Sequence, residues 1–168
     1  NSIDFLIRFA KTKHPKTGIE ETRIIYRSGK KYKELHLYCG KKLSQSQYGA
    51  VPFVPIAPFD ATAYVAYIPI NSKGHIVTEQ DELPIEDDTI VEFIYKTSET
   101  EKPMRWIALR TRHDKTFEYR KAKQLKRKKH EMMKSLFYRS GMIFKMLLNY
   151  NRGFNDNMTY ILQKGVKL

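Results

Sequence analysis

The chain has 168 residues, 41% of them hydrophobic, which suits one folded domain with an appended segment and argues against wholesale disorder. Its formal net charge of +13 and pI near 9.7 call for a polyanionic partner: nucleic acid, nucleotide phosphates or an anionic membrane surface. A lone cysteine, Cys39, excludes an internal disulfide, points to a reducing compartment and reads as a small apolar filler; no apolar run approaches the ~20 residues needed to span a bilayer, and the opening residues do not read as a secretory signal.

Apolar alternation begins almost at once in Asn1-Ser-Ile-Asp-Phe-Leu-Ile-Arg-Phe9. Residues 3–9 therefore read as a strand already in progress, and the chain as a piece of a larger protein. Lys11 to Gly18 reads as a turn-rich basic loop. Thr22–Tyr26 and Tyr32–Cys39 read as strands joined by a turn over Ser28-Gly29-Lys30. Pro52, Pro55 and Pro58 make residues 50–60 an extended connection, because proline cannot donate to a central ladder. Ala61–Ile70 is aromatic and β-branched and reads as a strand, followed by a turn over Asn71–Gly74 and a return over His75–Val77. The acidic stretch 79–92 reads as a solvated loop leading into a strand over Thr89–Tyr95; Pro84 and its irregular spacing fit no metal template. After a polar loop over 96–103, Trp106–Arg112 is the last strand. Residues 117–150 lack proline and are rich in Lys, Arg, Glu, Met and Leu, so they predict helix. Leu125, Met132, Met133, Leu136 and Phe137 form its apolar stripe, with Gly141 as a break before Ile143–Leu148. Short antiparallel strands at this spacing suit either a five-stranded oligonucleotide-binding (OB) barrel or a larger β-sandwich.

The chemistry concentrates in Trp106-Ile-Ala-Leu-Arg110-Thr-Arg112-His-Asp114-Lys115. On an uninterrupted strand Trp106, Ala108, Arg110, Arg112 and Asp114 share one face, with Leu109, Thr111 and His113 on the other. Two guanidinium forks two residues apart make a local anion grip, since each fork can donate two parallel hydrogen bonds to phosphate. Lys115 adds a point charge, and Asp114 can orient a neighbouring cation.

These residues resemble the C-terminal R-x-R-x-D-K motif of the covalent nucleotidyltransferases, the superfamily of mRNA guanylyltransferases and polynucleotide ligases. Trp106, four residues before Arg110, is similar to the capping-enzyme form. Asn1-Ser-Ile-Asp-Phe5 resembles the segment that follows the K-W-K-P motif in capping enzymes, and Pro84-Ile-Glu-Asp-Asp-Thr-Ile-Val-Glu-Phe93 resembles the OB strand before the last motif. Asp114-Lys-Thr-Phe-Glu-Tyr-Arg120, without Pro-Asn, is more similar to enzymes of large DNA viruses. The resemblance covers about residues 1–120.

The resemblance implies a mainly β chain: an OB-fold, five-stranded Greek-key barrel with added strands over 1–118, then a basic helical extension or linker over 119–168. It implies the lid domain of an mRNA guanylyltransferase, which closes over GTP. Arg110, Arg112 and Lys115 would hold the β- and γ-phosphates, with Asp114 as orienter, while a lysine in K-x-D-G forms lysine–GMP and GMP passes to the 5′ diphosphate end of mRNA. Mg²⁺ would be supplied mainly by the nucleotidyltransferase domain of the same polypeptide. No K-x-D-G occurs in the 168 residues, so this chain is expected to be inactive alone. The implied partners are that domain, GTP, nascent mRNA and, as in viral relatives, a following cap methyltransferase domain; no membrane is implied. The implied location is intracellular: host cytoplasm, virus factory or virion for a viral protein, otherwise nucleus. An ATP-dependent ligase OB domain, or a non-catalytic OB module binding single strands through Tyr26, Tyr32, Tyr38, Tyr64 and Tyr67, is the alternative.

The tail adds seven basic residues, Arg120, Lys121, Lys123, Lys126, Arg127, Lys128 and Lys129. They read as an RNA or partner contact, or else as a solvated connecting helix. Residues 151–157 read as a loop. The five histidines (His14, His36, His75, His113, His130) are scattered without metal spacing, and His113 reads as a surface residue.

Overall fold

The computed structural model describes residues 1–45 and 48–139. It is mainly β, with antiparallel pairing and one C-terminal helix. The strands are β1 (Ser2–Phe9), β2 (Lys11–Lys13), β3 (Glu20–Thr22), β4 (Ile24–Arg27), β5 (Lys30–Lys42), β6 (Tyr48–Pro52), β7 (Val65–Pro69), β8 (Thr89–Tyr95) and β9 (Trp106–Thr111). A 3-10 turn over Lys102–Arg105 precedes β9, and helix α1 spans His113–Arg139. The chain divides into Asn1–Phe117, which holds all the strands among the described residues, and Glu118–Leu168. Among the described residues no helix is long and apolar enough to cross a membrane.

The main sheet runs β4-β5-β1-β8-β9, and β6 and β7 both pair with β5. The long β5 thus serves both edges: β4 and β1 on one, β7 and β6 on the other. β7 also touches β9, so the two outer members of the path β7-β5-β1-β8-β9 come back together. Alternation decides the faces. Phe5 and Ile7 of β1, Leu35 and Leu37 of β5, and Val91 and Phe93 of β8 are at most 1% exposed, and they form the core with Ala66, Ile68, Ile76, Ile85, Trp106 and Ala108. Phe5 meets Trp106 edge-on at 5.2 Å between ring centroids and Phe53 at 5.0 Å, an aromatic arrangement that adds specific geometry to area burial. The outward positions Ser2, Asp4, Arg8 and Glu92 are polar.

Several sequence expectations change. The predicted loop over Lys11–Gly18 contains β2, which pairs with β3 to make a ribbon closed at its tip by bonds from Gly18 N to His14 O and from His14 N to Ile19 O. The predicted strand over Thr22–Tyr26 breaks at Arg23, whose backbone bonds to Ala10 and Glu34 where the ribbon leaves the sheet. The predicted connection over 50–60 begins inside β6; Pro52 is tolerated there because it is the terminal residue of the strand. The acidic stretch is exposed over 79–84, as expected of a solvated loop, but it is also tied to the sheet. Ile85 is buried, Asp87 accepts from Phe9 N and lies 3.7 Å from Lys11, and Glu79 N and Gln80 N bond to the carbonyls of Ala108 and Leu109. That last pair covers backbone acceptors at the outer side of β9. The turn between β4 and β5 is a two-residue hairpin with positive φ at both Ser28 and Gly29, the mirror-image geometry that suits strand twist. The predicted break at Gly141, the helix over Ile143–Leu148, and the loop over 151–157 lie outside the described residues.

Burial and exposure separate cleanly in urea denaturation. Phe5→Ala, which empties the centre of the aromatic cluster, is expected to cost about 3–5 kcal/mol. Ile56→Ala, at a side chain 94% exposed, is expected to stay within about 0.5 kcal/mol of the parent.

Candidate functional site

The last strand is not regular, and its irregularity shapes the site. Against β8, Phe93 pairs with Ala108 and Glu92 pairs with Arg110, so Leu109 is an extra residue in a β-bulge. Trp106 and Ala108 therefore face the core, Arg110 faces outward opposite Glu92, and Thr111 turns back to the side of Val91. The single shared face expected for Trp106, Ala108, Arg110, Arg112 and Asp114 does not form. Trp106 is a core residue, 6% exposed.

The chain then leaves the sheet earlier than predicted. Arg112 N still bonds to Ile90 O, but α1 begins at His113. Thr116 fixes this exit: its N–H donates to Arg112 O, and its hydroxyl accepts from Ile90 N at 2.9 Å. Asp114 and Lys115 consequently lie in the first turn of a helix, not at the end of a strand. A carboxylate there suits the positive end of the helix dipole. His113 is exposed, as the sequence suggested.

Despite these changes, Arg110, Arg112 and Lys115 join one network on the outer face of β1, β8 and β9. Arg110 Nε donates to Glu92 Oε2 at 2.6 Å, and Ser2 Oγ donates to the other oxygen of Glu92. Arg112 makes a fork to Asp114, with Nε to Oδ1 at 3.3 Å and Nη2 to Oδ2 at 3.1 Å. Its Nη1 donates to Asp4 Oδ2 at 2.9 Å, and Lys115 Nζ donates to the same oxygen. Asp4 and Glu92 are direct cross-strand neighbours. Three cations thus meet three carboxylates.

Sequence reasoning on the motif alone missed Asp4, Glu92 and Ser2. The available signal was parity: Ser2 and Asp4 interrupt the apolar positions of β1, and Glu92 those of β8, so all three had to face outward.

The electrostatics follow the geometry. The Ser2 hydroxyl and then the Arg110 guanidinium hold the Glu92 carboxyl below its ordinary value of 4.5. The Arg112 fork and then the Lys115 backbone N–H lower Asp114, and the Asp114 carboxylate in turn raises Arg112. Asp4 Oδ1 is buried without a hydrogen-bond partner among the described residues.

Other candidates lie elsewhere. All seven predicted RNA-contact residues (Arg120, Lys121, Lys123, Lys126, Arg127, Lys128, Lys129) are exposed along α1. Of the expected apolar stripe, Leu125 and Met132 are exposed and Met133 is half-buried; the side chains of Leu136 and Phe137 lie outside the described residues. Tyr26 is 63% exposed beneath Lys31, and Tyr38 lies under the Arg8 guanidinium at 4.7 Å. Tyr64 packs edge-on against His36. Tyr32 and Tyr67 line an open pocket of about 510 Å³ whose acidic members, Glu79, Glu82 and Glu99, disfavour phosphate.

Glu92 gives a pH test. Its depressed value means that its contribution to stability is present above the unfolded-state value and is lost as pH falls through the folded-state value. Urea midpoints between about pH 3 and pH 6 should fall on acidification, and Glu92→Gln should flatten that acid limb. An unchanged limb would remove Glu92 from the ion-pair network.

The sequence is similar to one described as "Probable mRNA-capping enzyme" of Acanthamoeba polyphaga mimivirus. The two are 32% identical over 119 residues, which is 69% of this chain and 10% of that relative. The chain thus spans about a tenth of the length of the protein it matches. No protein-family model and no solved structure matches it.

Proposed function

We propose that residues 1–118 are the OB-fold lid domain of an mRNA guanylyltransferase, in which Arg110, Arg112 and Lys115 grip the β- and γ-phosphates of GTP. The observation that carries this reading is the convergence of these three cations on one outer surface, although they come from a strand end, a junction and a helix turn. The similarity to a protein described as a capping enzyme supports the same reading, as does the strand path β7-β5-β1-β8-β9 with its ends in contact, which suits a five-stranded OB barrel. The start of α1 adds its own positive pole, since the first N–H groups of a helix favour an anion.

In this mechanism the chain contributes orientation and charge. The Arg110 guanidinium, the Nη1 side of Arg112 and the Lys115 ammonium hold the phosphates that become pyrophosphate and offset the charge that develops there when the α-phosphate is attacked. Asp114 accepts from Nε and Nη2 and so fixes the orientation of the planar Arg112 guanidinium. The attacking lysine belongs to a K-x-D-G segment, which these 168 residues do not contain, so this chain binds nucleotide without forming lysine–GMP. GTP is the substrate. Among the described residues no group of three or more His, Cys, Asp or Glu could hold a metal, and Asp4, Glu92 and Asp114 are each engaged by cations. No step therefore runs through Mg²⁺ on this chain; the reading leaves that ion to the nucleotidyltransferase domain.

The basic face of α1, from Arg120 to Lys129, serves in this reading as a contact for nascent RNA, and 119–168 as a connector toward a following domain. A second reading, a non-catalytic single-strand binder, draws on Tyr26 under Lys31 and Tyr38 under Arg8, where a base could stack on each ring.

Calorimetric titration of GTP and of inorganic triphosphate into the chain tests the lid. Arg112→Ala should weaken both by about tenfold or more, the value of a charge-assisted bond. Incubation with labelled GTP should leave no alkali-stable, acid-labile adduct; such an adduct would overturn the lid assignment. Triphosphate affinity unchanged by Arg112→Ala would favour the single-strand binder.

For the tail, affinity for a short 5′-diphosphate RNA should fall with salt. Replacing Lys126, Lys128 and Lys129 together by Gln should lower the log–log slope by about 0.7 for each phosphate that the variant no longer neutralises. An unchanged slope would leave α1 as a solvated connector.

A further inference from the structure

We propose that Asp4 and Glu92 form an internal anion seat: the sheet's own carboxylates occupy the motif cations at rest, and a polyphosphate must displace them to bind. This deepens, and rests on, the phosphate-grip reading above.

The geometry separates the three carboxylates into two kinds. Asp114 is two residues from Arg112 and bonds both Nε and Nη2, so it is local and travels with the motif. Asp4 and Glu92 stand on β1 and β8, side by side across the sheet, and meet the motif only through space. They take the functional atoms that a phosphate would need: Nε of Arg110, the remaining nitrogen Nη1 of Arg112, and Nζ of Lys115. A carboxylate oxygen and a phosphate oxygen accept from a guanidinium or ammonium group in the same way, and each N–H can be donated to only one of them, so the two compete for the hydrogens that Asp4 and Glu92 now hold.

The seat is built to yield. Asp4 engages both cations through one oxygen, Oδ2, while Oδ1 is buried without a hydrogen-bond partner among the described residues. Only one oxygen of this carboxylate therefore holds the two cations. Two of the three cations are readily reachable: the side chains of Lys115 and Arg110 are about half exposed, at 47% and 50%, while that of Arg112 is 23% exposed. Glu92 is tied further by Ser2, which keeps its carboxylate in place and ionised when Arg110 leaves. Asp4 and Glu92 are therefore positioning residues. They keep Arg110, Arg112 and Lys115 extended and neutralised on the sheet without ligand, and they recapture the cations when pyrophosphate departs. Triphosphate carries enough negative charge to win this exchange, whereas a single phosphate competes less well.

The test is titration of inorganic triphosphate into the complete 168-residue chain and its variants, with thermal midpoints measured alongside. Asp4→Asn should tighten triphosphate binding by about 3- to 10-fold, the scale of one or two partly exposed ion pairs, while lowering the thermal midpoint. These opposite signs mark competition; a purely structural role would lower both. Glu92→Gln should tighten binding independently through Arg110, and it serves where Asp4→Asn does not fold. In the double variant Asp4→Asn with Arg112→Ala, the gain from Asp4→Asn should shrink to the share of Lys115. Folded Asp4→Asn and Glu92→Gln proteins that bind triphosphate no tighter than the parent overturn the seat, while the grip survives if Arg112→Ala still weakens binding. If Arg112→Ala and Lys115→Ala leave affinity unchanged, the grip itself is wrong and the seat falls with it.

Discussion

Leu109 is the residue on which the outer face depends. It has no β8 residue opposite it, sitting between the Phe93–Ala108 and Glu92–Arg110 pairs. On a regular strand, with Leu109 paired to Glu92, the strict period of two would continue from Trp106 and Ala108 and carry Arg110 into the core. A guanidinium there would lose its hydration among Phe5, Val91 and Phe93, a cost far above any single interaction in this fold. The bulge lets one six-residue strand do two incompatible jobs: its first half plugs the aromatic core, and its second half presents charge.

The second constraint is the strand-to-helix exit at Arg112. Ile90 of β8 accepts from Arg112 N, and its own N–H donates to the Thr116 hydroxyl, so β8 ties down both the last extended residue and the first turn of α1. Thr116 is buried, and its hydroxyl supplies the acceptor that the Ile90 N–H needs there, which an aliphatic side chain would not. With the exit fixed, Asp114 turns back to Arg112 and Lys115 reaches Asp4 of β1 from the same helix turn. The network then couples three separate stretches of chain: residues 2–4, residue 92 and residues 110–115. Ion pairs on an open surface are individually weak. Here they also fix where the three cations sit on the outer face, above the core.

Much of this was legible in the sequence because it is periodic or local. The alternation in residues 3–9 and 89–95 placed β1 and β8 almost residue for residue, and the proline-free basic run after residue 117 announced α1. Pairing of Arg112 with Asp114 is a two-residue matter and could be anticipated from the motif. The short ribbon of β2 and β3 could not, because three-residue strands carry too little pattern and form only through their partner's hydrogen bonds. β6 was hidden for a related reason: its proline is admissible only because the strand ends there, a fact about its place in the sheet.

Composition, strand alternation and the spacing of Arg110, Arg112, Asp114 and Lys115 were determined by the sequence itself, because side-chain chemistry and local backbone preference act over a few residues. Tertiary structure alone decided which way those residues face and what they touch. The bulge at Leu109 arises only against β8, the helix starts at His113 only because Ile90 and Thr116 pin it, and Asp4 reaches Lys115 across 111 positions of sequence. Such pairings are set by the register of β1 on β8 and of β8 on β9, which no local window of residues encodes.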